Sequence, residues 1–101
     1  MKVTNMRSNS TGREVPNQFI ITDEGRGALG NFTSRQVFQS HDSIIAIRTE
    51  WEDETKIQLD IHKWDYSTTT DKYRNQFLGE KKADTQRKID SGEYKLVNLN
   101  S

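Results

Sequence analysis

Between Lys56 and Gly79 the chain changes its periodicity, and that change restricts the folds open to it. Lys56-Ile57-Gln58-Leu59-Asp60-Ile61-His62 alternates, with Ile57, Leu59 and Ile61 on one side. Alternation of period two is the mark of a strand with one face on a core and one in water. After Trp64-Asp65-Tyr66 the pattern becomes helical. Ser67, Thr68, Thr69 and Thr70 offer hydroxyls to the free N–H groups of a first helical turn, and Asp71 suits the positive end of the helix dipole. Tyr73 and Phe77, four apart, share a helix face, and Gly79 is a fitting stop. A strand that feeds a capped helix within so short a span predicts an α+β domain.

The other elements follow in the same way. Asn17-Gln18-Phe19-Ile20-Ile21-Thr22, Arg35-Gln36-Val37-Phe38-Gln39 and Ile44-Ile45-Ala46-Ile47-Arg48 read as strands. They are separated by a glycine-rich loop at Gly25–Gly30 and a polar turn at Ser40-His41-Asp42-Ser43. A second short helix is expected from about Lys82 to Asp90, ended by Gly92, and a last strand over Tyr94-Lys95-Leu96-Val97-Asn98-Leu99. Short connections favour an antiparallel meander. The expectation is therefore an antiparallel four- to five-stranded sheet with two short helices inserted before the last strand. Residues 1–14 are polar around Ser8-Asn9-Ser10-Thr11-Gly12 and read as a flexible tail, leaving a single domain over 15–101.

Composition limits the core and the chemistry. Only 31% of the 101 residues are hydrophobic, so the core must be thin. Fifteen basic residues balance fifteen acidic ones, which argues against a general nucleic-acid binder. The absence of cysteine excludes disulfides and cysteine-containing zinc sites. No apolar run approaches membrane-spanning length and Met1–Met6 lacks a signal-like apolar stretch, so a cytoplasmic location with no membrane partner is expected.

Chemical motifs are few. Gly25, Gly27 and Gly30 spell G-x-G-x-x-G, but the following Asn31–Phe38 reads as extended, and a dinucleotide site needs a helix opening there. His41-Asp42-Ser43 has the residue types of a hydrolytic triad without its spatial order, and a turn is the better reading. Asp60 and His62 would share one side of a strand, with Asp65 nearby, the nucleus of a metal site but more simply an exposed polar face. No catalytic residue, cofactor or metal ligand is assigned, and the chain is expected not to be an enzyme. Three places could serve binding: Arg26 and Leu29 in the glycine-rich loop; Trp51 with Glu52, Asp53 and Glu54 in an acidic turn; and the basic group Lys81, Lys82, Arg87 and Lys88. Tryptophan in a polar turn suits an interface anchor. The basic group, with Trp64, Tyr66 and Tyr73 upstream, supports an alternative nucleic-acid-binding reading. An unpaired strand edge would also permit a homodimer.

Trp64-Asp65-Tyr66-Ser67 with Thr69-Thr70, followed by Lys72-Tyr73-Arg74-Asn75-Gln76-Phe77-Leu78-Gly79, resembles the signature of a small uncharacterised domain family associated with bacteriophage genomes and related mobile elements. Phe38–Ala46, Ser91–Asn100 and Pro16-Asn17-Gln18-Phe19 extend the resemblance over residues 16–100, with His41 standing where tyrosine is frequent in that family. The resemblance implies no activity and no transferable site residue. It implies a small phage-type accessory protein that binds a host macromolecule, a protein or ribonucleoprotein, with an anti-defence (anti-CRISPR-like) inhibitor as one such role.

Overall fold

A computed structural model describes residues 1–25 and 33–100. The element order is β1 (Lys2–Arg7), β2 (Glu14–Glu24), β3 (Ser34–Ser40), β4 (Ser43–Glu50), β5 (Thr55–Asp60), α1 (Thr68–Leu78), α2 (Lys82–Asp90) and β6 (Tyr94–Val97). The strands form one six-stranded sheet in the order β1-β2-β3-β4-β5-β6. The first five pair antiparallel, and β6 adds parallel to β5 after the two helices.

The α+β class and both helices are as expected, but the sheet differs in two respects. First, the stretch read as a tail supplies β1: Val3 lies opposite Ile21 and Asn5 opposite Phe19, and residues 8–13 turn the chain back into β2. Backbone pairing to β2 orders a segment whose own side chains are mostly exposed, which is why its polarity masked it. Second, β6 is parallel, because two helices bring the chain back across one face before it re-enters the sheet. Strand β5 also stops at Asp60, so Ile61 sits in a turn and is 48% exposed rather than facing the core.

One face of the sheet carries the core. Phe38 on β3, Ala46 on β4 and Leu59 on β5 stand in register and are fully buried. Helix α1 lies over them. Ser67 caps it by accepting the Thr70 N–H, and Gly79 ends it in the left-handed conformation at φ 70°, where a Cβ would be strained. Its Tyr73 and Phe77 point inward, as their spacing predicts, and the Phe77 ring stacks on Phe38 with centroids 5.8 Å apart. The hydroxyls of Ser40 and Thr70 share a buried hydrogen bond of 2.9 Å. Tyr94 of β6 carries α2 on the same face, its hydroxyl donating to Glu80, which also accepts from Thr85 and Lys88.

The β3–β4 turn closes at Ser40 and Ser43, with His41 in the left-handed region at φ 55°. That is a backbone role for the His41-Asp42-Ser43 motif. Of the glycine motif, only Gly25 is among the described residues; Gly27 and Gly30 lie outside them. Gly25 N–H bonds to Thr33 O, and Ser34 already belongs to β3, antiparallel to β2.

Candidate binding face

Both helices pack on the Phe38 side, so among the described residues the opposite face of the sheet carries no helix. Side chains paired across strands point the same way, so the register maps this face directly. One row runs Val3–Ile21–Val37–Ile47–Gln58–Lys95 from β1 to β6. Beside it lies Asn5–Phe19–Gln39–Ile44. Val3 is 57% exposed, and Phe19, Ile21, Val37, Ile44 and Ile47 are half-buried, which leaves a continuous apolar band over four strands.

The band ends at a cavity of about 600 Å³ formed by β3, the β4–β5 turn, β5 and the approach to β6. Its lining includes Arg35, Thr49, Trp51, Glu54, Lys56, Gln58, Glu93 and Lys95. The turn is fixed by Trp51 N–H bonding to Glu54 O at 2.7 Å, between the paired residues Glu50 and Thr55. The Trp51 indole N–H is buried and has no acceptor within the described residues. Lys56 pairs with Glu54 at 3.7 Å.

Of the residues singled out in the sequence, Trp51 and Glu54 meet in this cavity, while Glu52 and Asp53 stand exposed at the tip of the turn outside its lining. Arg26 and Leu29 lie outside the described residues. The basic group does not form an open cationic surface. Lys82 pairs with Asp65 at 2.7 Å, Arg87 with Asp84 at 3.0 Å, and Lys88 with Glu80 at 2.7 Å, while Lys81 is the N-cap residue of α2. Sequence reading missed Arg35, Thr49, Lys56, Gln58, Glu93 and Lys95. Lys56 and Gln58 were legible as the solvent side of an alternating strand. Arg35 and Lys95 reach the same place only through cross-strand register and the parallel docking of β6.

Asp60 is not available to a metal either. Its Oδ1 accepts the Leu99 N–H at 2.7 Å and its Oδ2 the His62 N–H at 3.1 Å, so it ties the C-terminal segment to the end of β5. Burial alone would raise its carboxyl, but those backbone bonds hold it below the ordinary value. Among the described residues no group of three or more His, Asp and Glu is placed to hold a metal ion.

The Trp64–Phe77 stretch holds a charge cluster. Arg74, with no exposed surface, donates to Trp64 O, to Asp71 at 3.0 Å and to Asn75 at 2.9 Å, and lies 3.9 Å from Asp65. Asp65 and Asp71 share a hydrogen bond. Burial and that neighbouring carboxyl push Asp71 up to about 6 against the pull of Arg74 and Lys82, while the same bond and Lys82 hold Asp65 down.

The folded pair therefore keeps a proton that the unfolded chain releases near 3.8. Its contribution to stability is complete below that value and lost as pH rises through about 6. The lowered carboxyls Asp60, Asp65 and Glu80 act oppositely, losing their contribution as pH falls below 3.8, 3.8 and 4.5. Urea unfolding at stepped pH should show a decline between pH 4 and 7 on the order of 1–2 kcal/mol, once the solvent-facing part of Asp71 is discounted. Asp71→Asn should flatten it; an unchanged slope would assign the decline elsewhere.

No curated protein and no solved structure matches the chain. The described helices are all too short to cross a membrane. A family model described as a family of unknown function matches residues 1–93, so nearly the whole sheet and both helices lie within the match. The chain belongs to that family, DUF8033.

Proposed function

We propose that the chain is a binding module rather than an enzyme, and that it engages a protein partner through the helix-free face of its sheet. The observation that carries this reading is the apolar row Val3–Ile21–Val37–Ile47, over which no helix lies among the described residues, in a protein whose apolar residues are otherwise scarce. An antiparallel sheet with one solvated face ordinarily shows polar residues there, and a contiguous apolar patch marks an interaction surface. Trp51 at the end of the band has the size and polar handle of an interface anchor. From the sequence resemblance alone we take the partner to be a bacterial host protein or ribonucleoprotein, with inhibition of a defence complex as the proposed consequence.

The nucleic-acid alternative is less well supported, because Lys82, Arg87 and Lys88 each already face a carboxylate. Photo-crosslinking separates the two. With a photoreactive amino acid at position 3, 37 or 86 in turn, a protein partner should crosslink through positions 3 and 37 on the open face and not through position 86 on α2. Capture confined to position 86, or of nucleic acid alone, would overturn the reading.

A further inference from the structure

Resting on the reading of the open face as a protein-binding surface, we infer that in the free protein a second copy of this chain covers that face. The two sheets pack face to face about a two-fold axis that runs along the strands, between β3 and β4. Three observations support it.

The first is the match of apolar with apolar. Such an axis reverses the strand order and keeps each cross-strand row opposite itself, so β3 lies over β4 of the second copy and β2 over its β5. Val37 then meets Ile47 of the second copy, and Ile47 meets its Val37. The middle of the band closes on itself, and apolar burial there supplies the affinity.

The second is charge. The neighbouring row on the same face runs Asp23–Arg35–Thr49–Lys56 from β2 to β5. Reversal sets Asp23 opposite Lys56 of the second copy and Lys56 opposite its Asp23, one pair on each side of the axis. Asp23 stands one and a half strand spacings from the axis, about 7 Å, so the crossing angle of about 30° between aligned sheets moves that contact by only about 4 Å. Each group already has an exposed ion pair in its own copy, Asp23 with the N-terminal amine at 3.6 Å and Lys56 with Glu54 at 3.7 Å. The crossed pairs therefore select the arrangement rather than drive it. A two-fold axis running across the strands stacks each strand on itself. Depending on the row it follows, it sets Lys95 against Lys95, or Asp23 against Asp23 and Lys56 against Lys56.

The third is size. Six strands give a face about 24 Å wide, and the seven residues of β3 make it about 23 Å long. The projected footprint is about 550 Å², and side-chain relief raises the accessible area toward the 800 Å² or so per partner of a standard stable interface. The β1 edge is the poorer route to a dimer, because Lys2 and Arg7 stand on that strand with no carboxylate beside them in it.

Sedimentation equilibrium of the full chain should show a monomer–dimer equilibrium with a Kd in the micromolar range or tighter. Asp23→Lys and Lys56→Asp, both at partly exposed positions, should each weaken the dimer about tenfold. The charge swap Asp23→Lys/Lys56→Asp should restore it to within about threefold. Unchanged circular dichroism shows each variant to be folded. With isotope-labelled and unlabelled copies mixed, a photoreactive amino acid at position 3 should crosslink to β6 of the other copy, because the reversal lays β1 over β6.

A protein that is monomeric at millimolar concentration, single variants that dimerise as tightly as wild type, a charge swap no tighter than either single variant, or crosslinks from position 3 to β1 of the other copy would overturn the inference. Capture of a host protein through positions 3 and 37 is a separate result. A monomer that captures one there keeps the binding face and removes the second copy. A dimer that captures nothing further there keeps the second copy and removes the host partner.

Discussion

An Arg74→Ala variant is expected to lose about 3–5 kcal/mol of stability at neutral pH, the cost of removing one partner from a buried ion pair. Arg74 is the largest fully buried side chain among the described residues. Its guanidinium faces Asp71, Asp65, Asn75 and the Trp64 carbonyl, and lies 5.3 Å from the Trp64 ring. Without it, Asp65 and Asp71 face each other with only Lys82 to offset them. The sign of the pH dependence gives a second readout. Loss of the cation raises the Asp71 carboxyl further, so the deficit should shrink as pH is lowered toward 5. Urea unfolding at pH 7 and pH 5 tests both statements. A loss under about 1 kcal/mol at pH 7 would show that the guanidinium contributes packing alone.

Phe77→Ala is expected to cost a similar amount, about 3–5 kcal/mol, through a lost aromatic side chain and the cavity left behind. Phe77 is 8% exposed, stacks on Phe38 and is covered by the Arg48 guanidinium at 4.5 Å from its centroid. Arg48 also donates to the Phe77 carbonyl. A domain of about 100 residues has about 5–15 kcal/mol in all, so either variant should unfold at much lower denaturant. The two sites are separable: Phe77→Ala should show no relief on acidification, because no titratable group loses its counter-charge. A Phe77→Ala protein as stable as wild type would mean that α1 is not held to the sheet through this ring.

The sequence made the local elements legible and left their assembly obscure, for identifiable reasons. The Tyr73–Phe77 face and the Gly79 stop depend on spacing within one helix and stand as read, and of the Ser/Thr candidates it is Ser67 that caps. The turn at Trp51–Glu54 was legible from its polarity between two apolar strands. Strand β1 was not, because Lys2–Arg7 gains its order from backbone pairing with β2, which composition does not reveal. No spacing rule in the sequence marks Arg74 for burial. Only the folded geometry puts two aspartates and a backbone carbonyl around it.

The candidate site divides in the same way. Trp51 and Glu54 were visible as a tryptophan in an acidic turn. Arg35, Lys56 and Lys95 come from three strands, and their convergence requires the register and the parallel β6. The basic α2 surface looked open because the carboxylates that neutralise Lys82 and Lys88 lie outside the helix, at Asp65 and Glu80.

The strand order has a kinetic side. From β1 to β5 every strand pairs with its sequence neighbour, so that part of the sheet closes through short loops and can form early. The β5–β6 pair must wait for both helices to be placed, since its loop spans them. The apolar band lies wholly on the early-forming strands, whereas the cavity borrows Lys95 from the late one. Fraying of β6 alone would therefore take Lys95 out of the cavity while leaving the apolar band on β1–β4 in place.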